Sequence, residues 1–277
     1  MPTRPHGPGS ARLLACLLAL LCAAAPAAGL ALISVADEVN LGREAQRRVK
    51  KEVPQTGGTV QAYVASLGRQ LAAHAGGPAY PYSFSVANYR EINAFALPGG
   101  PVWVNRGALQ AAGNESQIAG VLAHEIAHIA QRHAADQISK GVIANGLLGL
   151  LGAVLGNSGG ARTAEAGAQV LAGSYLMKFS RDDEREADRV GVQIMTRAGW
   201  DPRGMLEFMQ VLRSRAGRDP SSVEIFLSTH PSPADRVQRL RTQLRSAPQG
   251  GRRTSDAFRR VQATMSRMPP ARPMPRK

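Results

Sequence analysis

The spacing of apolar positions predicts a mostly helical chain that contains one short β segment. Residues 60–73 carry apolar side chains at intervals of three and four, as one face of an amphipathic helix does: Val60, Val64, Leu67 and Leu71. Residues 82–86 instead alternate, and residues 94–104 form two strand-like runs around Pro98-Gly99-Gly100-Pro101, which is typical of a hairpin. The predicted fold class is therefore α+β, with a small antiparallel sheet ahead of a long helical part.

Capping residues indicate where two helices begin. Asn114, with Gln117 three residues later, is typical of a helix N-terminus, and the helical pattern continues to about Gln137. Ser180 and Asp183 have the same spacing, and their helix is expected to end at a Gly-Trp-Asp-Pro sequence. Further helices are predicted over residues 37–51, 205–214 and 233–246.

The first 28 residues have the layout of a secretory signal peptide. Positive charge at Arg4 and Arg12 precedes an apolar run, Leu13 to Ala24, and small residues follow it up to Ala28. The run is shorter than the roughly 20 residues that span a bilayer, so a membrane anchor is the weaker alternative. We expect this segment to be cleaved and the mature chain to lie in the periplasm, with membrane association left open.

Both cysteines, Cys16 and Cys22, lie inside this segment. A lipid-anchor site needs a small residue before the cysteine and an apolar run ahead of it. Ala15 precedes Cys16, but almost no apolar sequence comes before it, and the residue before Cys22 is the larger Leu21. Lipidation of either cysteine is therefore an open, weaker alternative. The mature chain would contain no disulfide, so we expect its core and a bound metal to stabilise it.

The net charge of +14 is concentrated near the C-terminus. Residues 245–277 contain nine Lys or Arg and a single acidic residue, Asp256. We divide the mature chain into one domain, residues 29–246, and a basic Pro/Arg-rich tail, residues 247–277, which we expect to be largely disordered apart from a short helix near residues 256–265. Anionic lipid suits such a tail, whereas nucleic acid is not an expected partner, because a secreted chain rarely meets it.

A Gly/Leu-rich apolar stretch at residues 141–160 has two interpretations. It is either a core helix or helix pair, or a mobile lid that touches the membrane. A true membrane span is disfavoured, because Asn145 and repeated Gly interrupt the stretch. Peripheral membrane contact is thus expected through this stretch or through the basic tail.

The strongest chemical signal is His124-Glu125-Ile126-Ala127-His128. Residues four apart lie on one helix face, so both imidazoles can bind one ion while Glu125 lies close to it. Catalytic zinc sites have three protein ligands and keep one position for water, from which a nearby carboxylate takes a proton. The motif predicts one zinc ion per chain, with Glu125 as the general base.

A third zinc ligand must come from elsewhere in the chain. A metzincin would have His ten residues after His124, where this chain has Ala134; His133 is one residue early and is expected to be structural. Glu184 lies on an otherwise apolar helical stripe, and because burying an unpaired carboxylate is costly, zinc is its expected partner. Asp188, one turn later, is expected to hydrogen-bond the outer nitrogen of a zinc-bound histidine. The neighbouring acids are expected to form a solvated first turn: Asp182, Asp183 and Glu186.

These motifs together resemble the HtpX/CAAX-prenyl-protease-like gluzincin zinc metallopeptidases, specifically their periplasmic BepA/LoiP-type branch. The resemblance covers roughly residues 33–244 and rests on His124-Glu-x-x-His128 with Glu184-x-x-Ala187-Asp188. Further similar blocks are Asn93 to Gly100, Phe179-Ser180-Arg181 and Thr229-His230-Pro231. The resemblance implies a mostly helical zincin domain in which Glu184, and not Glu186, is the third zinc ligand.

The resemblance also implies roles for two later residues and one strand. His230 would lie beside the metal, where it stabilises the oxyanion or occupies the fourth zinc position in a latent state, and Arg236 would belong to the active site. The strand near Asn93–Ala96 would be the edge on which an extended substrate docks. The chain departs from the BepA type in having a basic tail in place of a long helical-repeat domain, which puts that type's partner interactions in doubt here.

We therefore expect a zinc metalloendopeptidase that hydrolyses peptide bonds of unfolded or misassembled envelope proteins, in periplasmic protein quality control. The alternative is a zinc-bearing periplasmic chaperone or scaffold with little proteolysis. Glu125 argues against it, because a purely structural site needs no base and usually fills its fourth position with protein. A further alternative is a basic lipid-binding protein whose tail is the function.

Overall fold

Helices dominate the computed structural model, which describes residues 32–144, 177–231, 233–248 and 250–275. In chain order the helices are α1 (Val35–Glu52), α2 (Gly58–Ala72), α3 (Arg106–Ala111), α4 (Glu115–Ala130), α5 (His133–Ala144), α6 (Arg181–Arg197), α7 (Arg203–Arg218), α8 (Glu224–Thr229), α9 (Pro233–Ser246) and α10 (Asp256–Ser266). The strands are β1 (Ser83–Ala87), β2 (Ala94–Ala96) and β3 (Pro101–Asn105). The predicted α+β class is confirmed. The expected signal peptide and residues 145–160 of the Gly/Leu-rich stretch lie outside the described residues.

The sheet is mixed, which corrects the expectation of a wholly antiparallel one. Its strand order is β1-β3-β2. β2 and β3 form the expected antiparallel hairpin, whereas β1 runs parallel to β3. β3, the second strand of the hairpin, lies beside β1. The alternation of apolar and polar residues within each strand does not specify which strands pair. β3 is the central strand and β2 lies at the edge, and every residue of both strands is buried.

The central helix is α4, in which every residue is buried. Asn114 caps it as predicted, because its side chain accepts a hydrogen bond from the Gln117 N–H. The helix stops at Ala130 and does not continue to Gln137 as expected. Arg132 has a φ of 61°, in the left-handed region, so the chain leaves the helix there and changes direction.

A second buried surface forms where α6 packs against α4. The predicted capping box is present, with Ser180 and Asp183 each accepting from the other's backbone N–H. Gly191 permits the close approach of the two helices, since a Cβ there would lie 3.3 Å from the backbone nitrogen of His124. Glu184 lies two turns before Gly191 and is thereby brought beside His128.

The basic tail is ordered over residues 250–275, which corrects the expectation of a largely disordered tail. Its helix, α10, lies close to the predicted bounds and buries one face in the main core: Phe258, Val261 and Met265. These three residues recur at spacings of three and four, so they anchor an amphipathic helix although the tail as a whole is basic. Across the described ranges, no helix combines the length and the apolarity needed to cross a membrane.

Candidate metal centre

Three elements bring four donor side chains to one point inside the molecule. His124 and His128 lie one turn apart on α4, Glu184 lies in the first turn of α6, and His230 caps the C-terminus of α8. All four side chains are buried. One donor atom from each lies within 4.8 Å of the donor atoms of the other three. The structure thus joins the two sequence motifs and the later histidine in one cluster.

The spacing of these donor atoms fits a tetrahedral metal. The Nε2 atoms of His124 and His128 are 3.0 Å apart, and each lies 3.4 Å from an oxygen of Glu184. The Nδ1 atom of His230 is 3.4 Å from His124 Nε2. A tetrahedral zinc with ligand bonds of 2.0–2.1 Å has ligand–ligand separations of roughly 3.3–3.4 Å. The residues present therefore fit a zinc ion held by His124, His128 and Glu184, with His230 at or near the fourth position.

Glu125 has a different environment from the donor cluster beside it. Its side chain is fully buried, and neither carboxylate oxygen has a hydrogen-bond partner among the described residues. The Nε2 atom of His230 lies 3.6 Å from Glu125 Oε1. A buried carboxylate with no partner is costly unless function requires it. A small cavity lined partly by His124 and Glu125 adjoins it, with room for about one water molecule.

Asp188 and Arg236 support the cluster from behind. Asp188 Oδ1 is 3.1 Å from His124 Nδ1, the nitrogen that faces away from the other donors. Arg236, on α9, donates to both oxygens of Asp188 and forms an ion pair with Glu184 Oε2 at 2.6 Å. Arg236 thus contacts two carboxylates of α6, and its place is beside the ligands.

The charges around the cluster set its protonation. Burial opposes ionisation of Glu184, but the cationic groups around it, His230 and Arg236 first, hold its pKa well below the usual range. Burial likewise opposes ionisation of Asp188, and Arg236 lowers its pKa. Burial keeps the pKa of His128 well below its ordinary value, so its imidazole is neutral. For His124, burial and Arg236 lower the pKa, but the carboxylates of Glu184 and Asp188 outweigh them and raise it to about 9; a metal bound at Nε2 would displace that proton.

His133 contacts the centre, which sequence reasoning did not anticipate. The turn at Arg132 directs His133 back, so that its Nδ1 lies 2.9 Å from His128 Nδ1. Its Nε2 lies 3.4 Å from Glu186 Oε2. His133 is thus placed to fix the orientation of the His128 ring. The signal that points to this contact is the helix break, because an unbroken helix would rotate His133 away from His128.

Aromatic rings fix two of the imidazoles. Phe179 stacks on His128 with ring centroids 3.9 Å apart, and Phe226 stacks on His230 at 4.8 Å. Phe179, just before α6, and Phe226, within α8, therefore pack directly against the donor side chains. Of the acids expected to lie in solvent, Asp182 is exposed, Glu186 is 43% exposed and Asp183 is partly buried by its cap and a hydrogen bond from Gln137.

The edge strand β2 has backbone groups that do not pair with β3. Asn105 N–H donates to Asn93 O and Leu97 N–H donates to Pro101 O, so the odd-numbered positions face β3. Pairing alternates along an antiparallel strand. The N–H and C=O groups of Ala94 and Ala96 therefore point to the other side, away from β3.

Comparisons with known proteins identify relatives of this chain. Residues 59–244 match the profile of peptidase family M48. The beta-barrel assembly-enhancing protease of Escherichia coli (strain K12) is 33% identical over 220 residues, which cover 76% of this chain and 44% of that protein. The mitochondrial metalloendopeptidase OMA1 of Schizosaccharomyces pombe is 32% identical over 196 residues, which cover 71% of this chain and 56% of that protein. Metalloprotease YcaL of Escherichia coli (strain K12) is 26% identical over 166 residues, 60% of this chain and 63% of that protein. The chain thus spans less than half the length of the first of these relatives.

Proposed function

Because the chain belongs to peptidase family M48, a family of metallopeptidases, we propose that it is a zinc-dependent endopeptidase with the buried cluster as its active site. In this proposal His124, His128 and Glu184 hold one zinc ion per chain, and Glu125 is the general base. The observation that carries the proposal is the tetrahedral spacing of the donor atoms beside a buried carboxylate that has no hydrogen-bond partner among the described residues.

The chemistry of each side chain follows from its place. Zinc at this site would supply Lewis acidity, which polarises the scissile carbonyl and makes a water molecule easier to deprotonate. Glu125 accepts the proton of that water and delivers it to the leaving amine. His230 Nε2, which faces Glu125, is placed to donate to the oxyanion as negative charge develops. Asp188 keeps His124 in one tautomer, and Arg236 keeps Asp188 charged.

The proposed substrate is an extended polypeptide. The N–H and C=O groups of Ala94 and Ala96, which do not pair with β3, are those to which an added peptide strand would bond once this buried edge is uncovered. We propose unfolded or misassembled envelope proteins as substrates and the periplasm as the location. The relative named beta-barrel assembly-enhancing protease supports this class of substrate, and the N-terminal sequence supports export. Peripheral contact with anionic lipid through the exposed arginines of the tail is part of the proposal.

The test is proteolysis by the mature protein, beginning at residue 29, on casein and on a quenched-fluorescent peptide. Cleavage should require zinc, stop with a chelator and return when zinc is added back. Zinc should bind at one ion per chain. A protein that binds zinc stoichiometrically, prevents aggregation of an unfolded client and cleaves neither substrate would support the chaperone alternative and reject the proposal.

A further inference from the structure

The C-terminal arm, residues 250–275, packs along the domain from the core to the sheet. The family match ends at residue 244, so the arm lies beyond it. α10 inserts Phe258 into the main core, where its ring lies 6.0 Å from that of Tyr63 on α2. Before α10, Arg253 pairs with Asp201 and Glu207. The arm is therefore attached at its start, and its helix fixes the path of the chain beyond Ser266.

Arg106 holds the middle of the arm. This side chain is 2% exposed, and among the described residues no carboxylate pairs with it. Its guanidinium donates to the backbone oxygens of Met265 and Pro269, at 2.9 and 2.7 Å, and to Asn88 Oδ1 at 3.2 Å. A buried cation is costly unless hydrogen bonds compensate it. Arg106 thus uses its charge to connect the end of α10 to the segment that follows β1.

The end of the arm pairs with the same segment in the manner of a short parallel strand. Arg272 N–H donates to Asn88 O at 3.0 Å, and Arg90 N–H donates to Arg272 O at 2.9 Å. Met274 N–H donates to Glu91 Oε2 at 2.9 Å. These bonds involve the backbone of Arg272, whose side chain is exposed. The arm is consequently recognised here through its extended backbone.

The segment that the arm holds, residues 88–93, leads directly into β2. Asn105 holds it from the sheet side, because its side-chain amide donates to Glu91 O and its backbone N–H donates to Asn93 O. Ile92 N–H donates to Ser222 O at 2.8 Å, in the turn Pro220–Ser222 that precedes α8. α8 in turn ends at His230. Residues 88–93 therefore connect the arm both to the edge strand and to the helix that carries the fourth donor.

We propose that the C-terminal arm is a positioning element for the substrate strand: by holding residues 88–93 it sets the place of β2, whose backbone groups at Ala94 and Ala96 do not pair with β3. The inference rests on the proposed function, because it assigns the arm to the docking edge of that same site. A misplacement of about 1 Å in a bound substrate can cost about 100-fold in rate. Losing the arm's outer bonds should therefore impair substrate alignment while the metal cluster stays intact.

The sharpest variant is Arg272→Pro, which removes the one N–H that donates to Asn88 O. Arg272→Ala is its matched control, since it removes the exposed side chain and keeps the backbone donor. We expect Arg272→Pro to lower kcat/KM for a short peptide about tenfold, mainly through KM, with zinc content and thermal midpoint near wild type. Arg272→Ala should behave as wild type. Equal kcat/KM for the two variants would overturn the proposal.

A chain that ends at Arg267 keeps α10 and lacks the outer arm, so it provides a rescue experiment. It should show the same rise in KM, and a synthetic peptide of residues 268–277 added in trans should reverse it. Failure of that peptide to restore KM, or a loss of zinc in proportion to the loss of activity, would contradict a positioning role.

A readout that does not depend on proteolysis separates this inference from the proposed function. Amide hydrogen exchange over residues 93–96 should be faster in Arg272→Pro than in Arg272→Ala, even if neither protein cleaves a peptide. Faster exchange without any peptidase activity in wild type would reject the proposed function alone. Unchanged exchange would reject the positioning role of the arm.

Discussion

Arg236 and Asp188 form a buried ion pair with two hydrogen bonds, Nε to Oδ2 at 2.8 Å and Nη2 to Oδ1 at 2.6 Å. The same Oδ1 lies 3.1 Å from His124 Nδ1. Because Arg236 lowers the pKa of Asp188 against the effect of burial, the carboxylate stays charged and can orient the imidazole. Contacts thus run from Arg236 on α9 through Asp188 on α6 to His124 on α4.

Asp188→Asn should weaken zinc binding about 10- to 100-fold, which is typical for the loss of a partner that orients a metal ligand. The substitution keeps the size of the side chain but removes the charge that holds His124 and balances Arg236. Competition with a chromogenic chelator measures the affinity. Asp182→Asn, on the same helix but exposed, is the control and should bind zinc as wild type does. Wild-type affinity in Asp188→Asn would show that His124 needs no orienting carboxylate.

Glu125→Gln should retain zinc and the fold but lower peptide hydrolysis by about 10²- to 10⁴-fold, the range for loss of a general base. Glu125 is not among the clustered donors, so the metal should not depend on its charge. Metal analysis and single-turnover cleavage of one peptide are the measurements. Stoichiometric zinc loss would make Glu125 a ligand, and full activity would remove it from the reaction.

Glu184→Ala and Glu186→Ala should differ sharply in zinc affinity. Glu184 is buried among the donors, whereas Glu186 is 43% exposed and reaches the centre only through His133. We expect a large loss of zinc affinity for the first variant and near wild-type affinity for the second, by chelator competition. Equal losses in the two variants would contradict the ligand assignment.

His230→Ala should slow cleavage of a short peptide and speed zinc dissociation from the resting protein. The Nδ1 atom of His230 lies close enough to the other donors to occupy the fourth position, which accounts for the faster dissociation. Loss of a donor to the oxyanion costs about 2.7–4 kcal/mol in the transition state. Stopped-flow transfer of zinc to a chelator gives the off-rate. An unchanged off-rate would reject His230 as a latent ligand, and unchanged turnover as well would leave it a structural role.

Because of the ion pairs at the start of the C-terminal arm, the stability of the protein should fall as the pH becomes acidic. Burial works to raise the pKa of Asp201 and of Glu207, but hydrogen bonds from Arg203 and Arg253 lower the first, and bonds from Arg253, Asn114 and Gln117 lower the second. Carboxyls whose pKa is depressed by folding stabilise the protein above their unfolded pKa of about 4, and that contribution is lost as pH falls through the folded value.

Arg253→Met should therefore lower the urea midpoint more at about pH 6 than at about pH 3. The measurement uses zinc-free protein, so that acid release of the metal does not contribute. Arg267→Met, at the exposed residue that caps the C-terminus of α10, is the control for loss of one positive charge and should show no such dependence. A difference between wild type and Arg253→Met that is the same at both pH values would contradict the prediction.

The local elements and the candidate site residues follow from the amino-acid sequence alone. Helix starts at Asn114 and Ser180 follow from capping residues, whose hydrogen bonds lie within a few residues of the cap and so are encoded locally. His124 and His128 share a helix face because residues four apart are neighbours on a helix, which is also a local property. The apolar stripe that carries Glu184 marked that carboxylate as buried, because period and composition together indicate which face packs.

Which distant residues meet depends on the three-dimensional fold. The parallel pairing of β1 with β3 and the hold of Arg106 on the arm depend on contacts between residues far apart in the sequence. The contact of His133 with His128 depends on a single backbone torsion, at Arg132. The basic charge and the Pro/Arg-rich composition of the tail predicted that it would be largely disordered in solvent. Three apolar side chains on one face of α10 pack into the core, and the buried Arg106 binds the end of that helix. These contacts outweigh the charge of the tail, because whether a surface is buried depends on the surface that packs against it.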